Sequence, residues 1–399
     1  MSSPIDIQYG LFKYYTENIG DEIQSIAARR FLPNVDTYID RDDISIKGST
    51  NISDNQIKLI MNGWFTHKPE NWPPKLKQLD PLLISMYVDQ KNKDVIKAFL
   101  SEESLNFLKK FGPVGARDKT TLKFLKQNNI PSYFSGCITL TLQRDQMLPR
   151  QDFILAVDTS RKLTARLEKL TNRKVIRIST YYDPNLSQEA RSVLAEYFLY
   201  LYQSAYCVVT TRLHAALPSL AFQTPVLLIK HKTTYEEARF DGLAELVHSL
   251  WEKDFLKDST MYDINKPPKN KSKYLRIRKE IEKKASNYTH YDRVESGYRT
   301  IDLGGIFNNP AFLEVFSKAM SSTFPKLLLE GDVSWLEKIR KTHEENEKHY
   351  KEIIAEKDEV IQKLIRQIPF YRKIANKALT HMQVYRTKSG RYKTRRTDA

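Results

Sequence analysis

Apolar and polar positions alternate along this chain in a repeating order of short strand-like runs and helical stripes. IQYGLFKYY, residues 7–15, mixes β-branched and aromatic residues as a strand does. TENIGDEIQSIAARRFL then turns at Asn18-Ile19-Gly20 and enters a helix whose first turn holds Asp21 and Glu22, where the helix dipole favours negative charge. Residues 56–63 and 81–88 read as strands, 101–111 as a helix capped by Ser101, and 112–116 as a strand leading into Arg117-Asp118. Residues 119–128 follow as a helix with Leu122, Phe124 and Leu125 on one face, and 132–142 (SYFSGCITLTL) as a strand. After Pro149 the order starts again: DFILAVD, a helix through 163–170, KVIRIST, a helix over 187–202, then VVTTRLHAALPSLAFQTPVLLI at 208–229 as strand, loop, helix and strand. Strands alternating with helices predict parallel sheets, and the restart predicts an α/β protein of two Rossmann-like domains facing a cleft.

The expected organisation is an N-terminal Rossmann-like domain over 1–150 and a second over 151–262, then a linker and helical return segment over 263–332. Residues 333–399 are expected to form an amphipathic helix and basic tail. Within these, 241–256 (DGLAELVHSLWEKDFL) reads as one helix, NKPPKNKSK at 265–273 as an exposed linker, and 301–329 as a segment packing back on the body. Tyr350, Ile353, Ile354, Val360, Ile361, Leu364, Ile365 and Ile368 make an apolar stripe on the C-terminal helix, too short for a coiled coil.

Composition changes this picture in two places. The chain of 399 residues carries a net charge of +16, but much of the excess lies in 361–399, where Asp398 is the only acid, so the folded body is less extreme. A like-charged terminal run is usually a solvated tail and only sometimes an anchor for phosphate or anionic lipid. The two cysteines, Cys137 and Cys207, sit in apolar stretches without metal-ligand spacing; buried inert thiols and a reduced, cytoplasmic compartment fit. The N-terminus lacks the pattern of a signal peptide, no apolar run approaches the roughly 20 residues that span a bilayer, and no residue set suggests a metal site.

The chemistry concentrates at strand ends. Arg212 and His214 follow the predicted strand at Val208-Val209 and precede an Ala/Leu-rich helix, and in an open α/β sheet the crevice beyond the strand ends binds ligands, with helix N-termini favouring anions. Arg117 stands in the same position in the first half. Each has a structural alternative: Arg117 as an exposed residue before the helix cap Asp118, Arg212 in an interdomain salt bridge, His214 as a hydrogen-bonding residue of the core. Asn18 and Gly20 suit a turn approaching a ligand. Asp21 is explained as well by capping and dipole complementarity as by a reactive role. His67, His231 and Arg239 lie in loops or loop–helix junctions that could face the same cleft.

Four ordered pieces, Asn18-Ile19-Gly20-Asp21, GARD at 115–118, YFSGCITLTL at 133–142 and TTRLHAALPSLAFQTPV at 210–226, are together specific, and from about Gln8 to about Leu250 the chain resembles the polysaccharide pyruvyl transferases. The resemblance implies a two-domain fold like that of GT-B glycosyltransferases, phosphoenolpyruvate as donor substrate, no further cofactor, and a hydroxyl pair of a glycan or lipid-linked oligosaccharide as acceptor. It implies that Arg117, Arg212, Leu213, Asn18, Gly20 and Arg239 bind substrate, with Leu213 turning into the core to hold the loop. His214 then delivers a proton or binds phosphate, and Asp21 accepts the sugar proton or binds its hydroxyl. Two departures stand out: Met61-Asn62-Gly63-Trp64-Phe65 replaces a glycine-rich turn, and Ala215 takes the glycine position of RLHG, which could shift the helix start against a phosphate.

Two other readings compete. A GT-B glycosyltransferase using a nucleotide sugar would share the fold. A nucleic-acid-binding or scaffold protein would act through the tail RYKTRRTDA with Tyr371, Tyr385 and Tyr392, but that tail has no recognisable domain and leaves the strand-end arginines unused, so nucleic acid is disfavoured. The same tail could hold the enzyme at the anionic inner face of a membrane, at about 1 kcal/mol per basic residue near the surface, or simply aid solubility.

Overall fold

The computed structural model describes residues 7–292 apart from 46, 48–54, 66, 147, 183 and 233–235, together with three isolated helical positions, Glu352, Ala355 and Glu359. The first sheet contains β1 (Ile7–Lys13), β2 (Thr37–Asp40), β3 (Gln56–Trp64), β4 (Leu79–Tyr87), β5 (Val114–Ala116) and β6 (Ser132–Phe134), in the order β2-β1-β3-β4-β5-β6. The second contains β7 (Phe153–Val157), β8 (Lys174–Ile178), β9 (Cys207–Thr210), β10 (Val226–Lys230) and β11 (His248–Trp251), in the order β11-β10-β9-β7-β8. The strand pairings within both sheets are parallel. Helices α1 (Gly20–Arg29), α2 (Lys93–Phe99), α3 (Glu102–Phe111) and α4 (Lys119–Gln127) connect the first sheet, and α5 (Arg161–Leu170), α6 (Gln188–Ser204), α7 (Leu213–Ala221), α8 (Glu237–Phe240) and α9 (Glu252–Lys257) the second; α10 (Tyr274–Thr289) follows. This is an α/β fold with two parallel sheets, consistent with two Rossmann-like domains.

Strand order reverses between β1 and β3 in one sheet and between β7 and β9 in the other. Ligand crevices open at such switch points, so the loops leaving β1, β3, β7 and β9 are the positions that matter. Side-chain caps fix several helix starts: Asn92, Ser101, Asp118, Ser160 and Ser187 each accept a backbone N–H of the following first turn, a contribution of about 1 kcal/mol apiece. Each half has its own apolar core. Phe12, Leu59, Leu83, Phe99 and Leu108 belong to the first. In the second, alternate residues Ile154, Ala156, Cys207, Val209, Leu227 and Ile229 face Leu163, Leu167 and Phe255, so α5 and α9 cover one side of that sheet. Helix α7 packs on β9 and β10 and touches α1, so its side turns toward the first half.

Two expectations are corrected here. The strand expected over 132–142 ends at Phe134, because Gly136 takes a φ of +67° and Ile138–Thr141 coil into a 3₁₀ turn. The helix expected over 241–256 breaks into a 3₁₀ turn at Ala244–Leu246, strand β11 and α9, since His248–Trp251 pair in register with Leu227–Lys230. Tertiary pairing overrides the local helical pattern there. After the loop at 265–273, α10 packs on β4 and on the 3₁₀ turn of the first half. The Tyr288 hydroxyl accepts the Leu59 N–H at 2.9 Å and donates to the Asp80 carbonyl, while Glu282 and Asp292 pair with Arg30 at 2.8 Å each. The segment 301–329 and the apolar stripe and tail of 333–399 lie outside the described residues.

The two halves meet through backbone and buried charge. The Ile19 N–H donates to the Thr180 carbonyl (3.1 Å) and the Tyr182 N–H to the Glu17 carbonyl (3.0 Å), joining the loop after β1 to the loop after β8. Glu22, on α1, accepts from Arg191 of α6 at 2.7 Å and from the Tyr182 hydroxyl at 2.8 Å, and both charged side chains are almost wholly buried. Burial pushes the Glu22 carboxyl up to about 7 against the pull of Arg191. Arg191 also donates to the Thr16 and Pro184 carbonyls.

A group whose folded pKa is raised loses its stabilising contribution as pH climbs through that value. Removing Arg191 raises Glu22 further and leaves a lone buried charge at alkaline pH, a change that costs about 3–5 kcal/mol when a buried pair is broken. Arg191→Met should therefore destabilise the protein more at pH 8 than at pH 5 in urea unfolding; an equal loss at both would show that the carboxylate charge is not what Arg191 holds.

Candidate active site

Side chains from four strand ends and three helices converge where the switch points of the two sheets face each other. From the first half come Asp21 and Gln24 of α1, Arg41 after β2, Asn62 and Trp64 at the end of β3, Tyr87 at the end of β4 and Arg117 after β5. The second half adds His214 in the first turn of α7, and Arg239 of α8.

Gly20 and His214 make the closest approach between the halves. A Cβ placed on Gly20 would lie 2.4 Å from His214 Nδ1 and 2.8 Å from its Cβ. Gly20 is therefore required by packing: only a hydrogen side chain lets α1 begin beneath the imidazole. Asn18 supports the same turn, its Oδ1 accepting the Gly20 N–H at 3.0 Å and its backbone bridging Tyr181. Both residues, expected to approach a ligand, here build the loop that carries Asp21.

Asp21 does not cap its helix; it accepts from Thr16 at 2.8 Å and Gln24 at 3.3 Å and pairs with the buried Arg41 at 2.9 Å. Burial opposes its charge, but Arg41, His214 and the hydrogen bonds outweigh that and hold its pKa below the usual carboxylate range. It is an ionised acceptor next to the imidazole. Arg41 is further held by Asp42 at 3.0 Å and lies 5.0 Å over the Tyr14 ring.

Arg117 is not the exposed arginine that one reading allowed. It is 1% exposed, its Nε and Nη2 have no hydrogen-bond partner, and its guanidinium lies 4.7 Å over the Tyr87 ring. The capping half of that reading holds for its neighbour: Asp118 accepts the Thr121 N–H at 2.7 Å. Arg239 stacks 4.3 Å over Trp64, which packs on Tyr87 at 4.9 Å, and its Nε is likewise without a partner. Buried polar groups without partners are rare in folded proteins. Here Gln24 Oε1, both side-chain polar atoms of Asn62, Trp64 Nε1, His214 Nε2 and the two arginines supply such atoms in one place. A buried guanidinium without a carboxylate is costly, so this arrangement is built to receive an anion.

His214 is the neutral member of the cluster. Burial, Arg117 and Arg239 push its pKa down to about 3, with Asp21 pulling the other way. With no anion bound it is an uncharged imidazole at neutral pH, its Nδ1 against Gly20 and its Nε2 unpartnered.

Other expected residues lie at the margin of this cluster or away from it. Arg212 is tied to Asp158 of its own half at 2.8 Å, not to the first domain, and lies 4.8 Å over the exposed Tyr181, next to the Asn18 bridge. Leu213 is buried, in keeping with a packing role, and Ala215 is buried within α7. His67 contacts Trp64 edge-on at 5.9 Å and so borders the cluster. His231 does not; it pairs with Glu252 at 3.1 Å beyond β10. Arg41, Gln24 and Tyr87 were not foreseen, and Asn62 and Trp64 were singled out only within the segment that replaces a glycine-rich turn. Trp64 and Tyr87 end strands that the sequence does show, whereas Arg41 follows a strand with no clear pattern. Met61-Asn62-Gly63 forms a bulge against β4, with Gly63 at a φ of +113° beside Gln24. Among the described residues no group of His, Cys, Asp and Glu could hold a metal ion.

A family model described as polysaccharide pyruvyl transferase matches residues 18–233, more than half of the chain. The chain belongs to that family. The matched span begins at Asn18 and includes Asp21, Arg117, Arg212 and His214. No curated protein matches. Among solved structures, an uncharacterised protein from Klebsiella pneumoniae subsp. pneumoniae NTUH-K2044 is similar at 13% identity, covering 58% of this chain and 87% of that one, with a TM-score of 0.36.

In an ordinary helix Gly→Ala stabilises by about 0.5–1 kcal/mol, whereas forcing an extra carbon into a packed site costs about 1–3 kcal/mol. In this chain Gly20→Ala is expected to lower stability in urea unfolding. A gain in stability would mean that His214 does not pack on Gly20.

Proposed function

We propose that the chain moves the pyruvyl group of phosphoenolpyruvate onto two hydroxyls of a glycan, forming a cyclic ketal and releasing phosphate. The observation that carries this reading is Arg117, buried with two unpartnered nitrogens beside Arg239 and the open Nε2 of His214. The donor brings a phosphate and a carboxylate, and two guanidinium forks suit those two anions. Arg212, held by Asp158 at the edge of the same crevice, is a further donor contact on this reading.

The reaction adds a proton to the enol methylene, which becomes a methyl group, while one sugar hydroxyl attacks the adjacent carbon. The second hydroxyl then attacks that carbon as the C–O bond to phosphate breaks; of the two hydroxyl protons one balances the proton taken up by carbon and the other leaves on the phosphate, as hydrogen phosphate. His214 is the proton donor. Its pKa in the free site leaves it neutral, and the negative charge of a donor seated on Arg117 and Arg239 offsets the two cations that depress it. Asp21, already ionised, is too weak a base to strip a hydroxyl outright and suits holding and orienting the attacking one. The GT-B-like arrangement of the two halves, a lipid-linked acceptor and peripheral attachment through the basic tail belong to this proposal. Among the described residues no helix is long and apolar enough to cross a membrane.

Calorimetric titration with phosphoenolpyruvate tests the donor assignment. The wild-type protein should bind, and Arg117→Ala, which removes an unpaired buried cation, should fold at least as stably but bind more than tenfold more weakly, a loss of about 1.4 kcal/mol or more. Equal binding by the variant would remove the donor from this site.

A further inference from the structure

A second, separate cavity opens on the other side of the second sheet, the side covered by α5 and α9. It has a volume of about 1170 Å³ and is walled by α5, by the end of β10 and by α9. Its charge is lopsided. Lys162, Arg166 and Lys169 come from α5, Lys230 and Lys232 from the end of β10, and Lys253 and Lys257 from α9. The one acid in the lining, Glu252, is already engaged: it accepts from the Ser160 hydroxyl and pairs with His231 at 3.1 Å. It therefore does little to neutralise the lysines of α5 and α9. Lys162, Lys169 and Lys253 form no ion pair with a carboxylate among the described residues. Arg166 donates from Nη2 to Ser259 at 3.1 Å, but its buried Nε has no partner.

Seven like charges around one cavity repel each other, and an anion reaching between α5 and α9 relieves that repulsion. The space exceeds what one phosphate fills. Trp251 supplies a second kind of contact: its indole lines the cavity, is 40% exposed, and has Lys230 Nζ 5.8 Å above the ring. An exposed indole packs well against the C–H face of a sugar ring. We infer that this cavity binds a sugar diphosphate, its phosphates among the lysines of α5 and α9 and its sugar ring on Trp251. The sugar diphosphate of a soluble nucleotide sugar and that of a lipid-linked glycan share this chemistry. The inference does not depend on the donor site, which lies on the α1 and α7 side of the sheet.

Calorimetric titration at low salt with inorganic pyrophosphate, with UDP-glucose, and with the same sugar diphosphate on a lipid tail in vesicles is the test. Pyrophosphate should bind, sugar diphosphates should bind more tightly, and the tighter of the two sugar ligands names the source. The double variant Lys162→Ala/Lys253→Ala should retain its melting temperature and lose about tenfold or more in affinity for all three, roughly 1.4 kcal/mol. Trp251→Ala should erase the advantage of the sugar ligands and leave pyrophosphate binding unchanged, and Arg117→Ala should alter none of these. Absence of binding by all three in the wild type, or full binding by the lysine double variant, would overturn the inference.

Discussion

The site depends on how closely the start of α1 approaches the first turn of α7. Gly20 lies so near His214 that no side chain fits between them, and this contact decides where everything else falls. It sets Asp21 beside the imidazole and brings Arg117, from the end of β5, within electrostatic reach of it. The approach is secured from outside the site by the backbone pairing of the loops after β1 and β8 and by the buried Glu22–Arg191 pair. Breaking a buried pair is expensive, so it keeps the two halves in one alignment rather than merely adding stability. Helix α10, returning from the second half to the first, fastens the same arrangement through Arg30 and Tyr288.

Charge in the crevice is deliberately unbalanced. On the Asp21 side, Arg41 is paired with the carboxylates of Asp21 and Asp42. On the Arg117 side, two guanidinium groups rest on aromatic rings, which soften the cost of burial without neutralising the charge. His214 stands between these regions, and burial with the positive charge of Arg117 and Arg239 keeps its imidazole unprotonated. The chain belongs to the polysaccharide pyruvyl transferase family; on the function proposed above, an anionic donor would complete the positive side and a hydroxyl-bearing acceptor would meet the ionised Asp21.

Much of this was legible in the sequence, for physical reasons that can be named. Strands alternating with capped helices reveal parallel sheets, because each cap residue and each buried apolar run is a local signal. Ser101, at the start of α3, is such a case. Arg117 and His214 were visible because they follow clear strands. What could not be read was set by contacts between distant segments. Strand β11 exists only because β10 offers a free edge, so its residues look helical in isolation. Arg212 was expected to bind substrate, with an interdomain salt bridge as its structural alternative; its partner, Asp158 of the second half, whose backbone sits at a φ of +51°, could not be read from the sequence. Arg41 and Gln24 enter the site through the packing of β2 and α1, and the reason for Gly20 appears only when His214 is beside it.

The protonation of His214 is the point at which packing, charge and chemistry meet, and it can be followed directly by NMR titration of its imidazole signal, assigned with a His214→Gln variant, with and without phosphoenolpyruvate. In the free protein the imidazole should stay neutral well below pH 6, and phosphoenolpyruvate should move its pKa upward by more than one unit. An imidazole that titrates near 6.5 in the free protein and is unmoved by phosphoenolpyruvate would contradict the account.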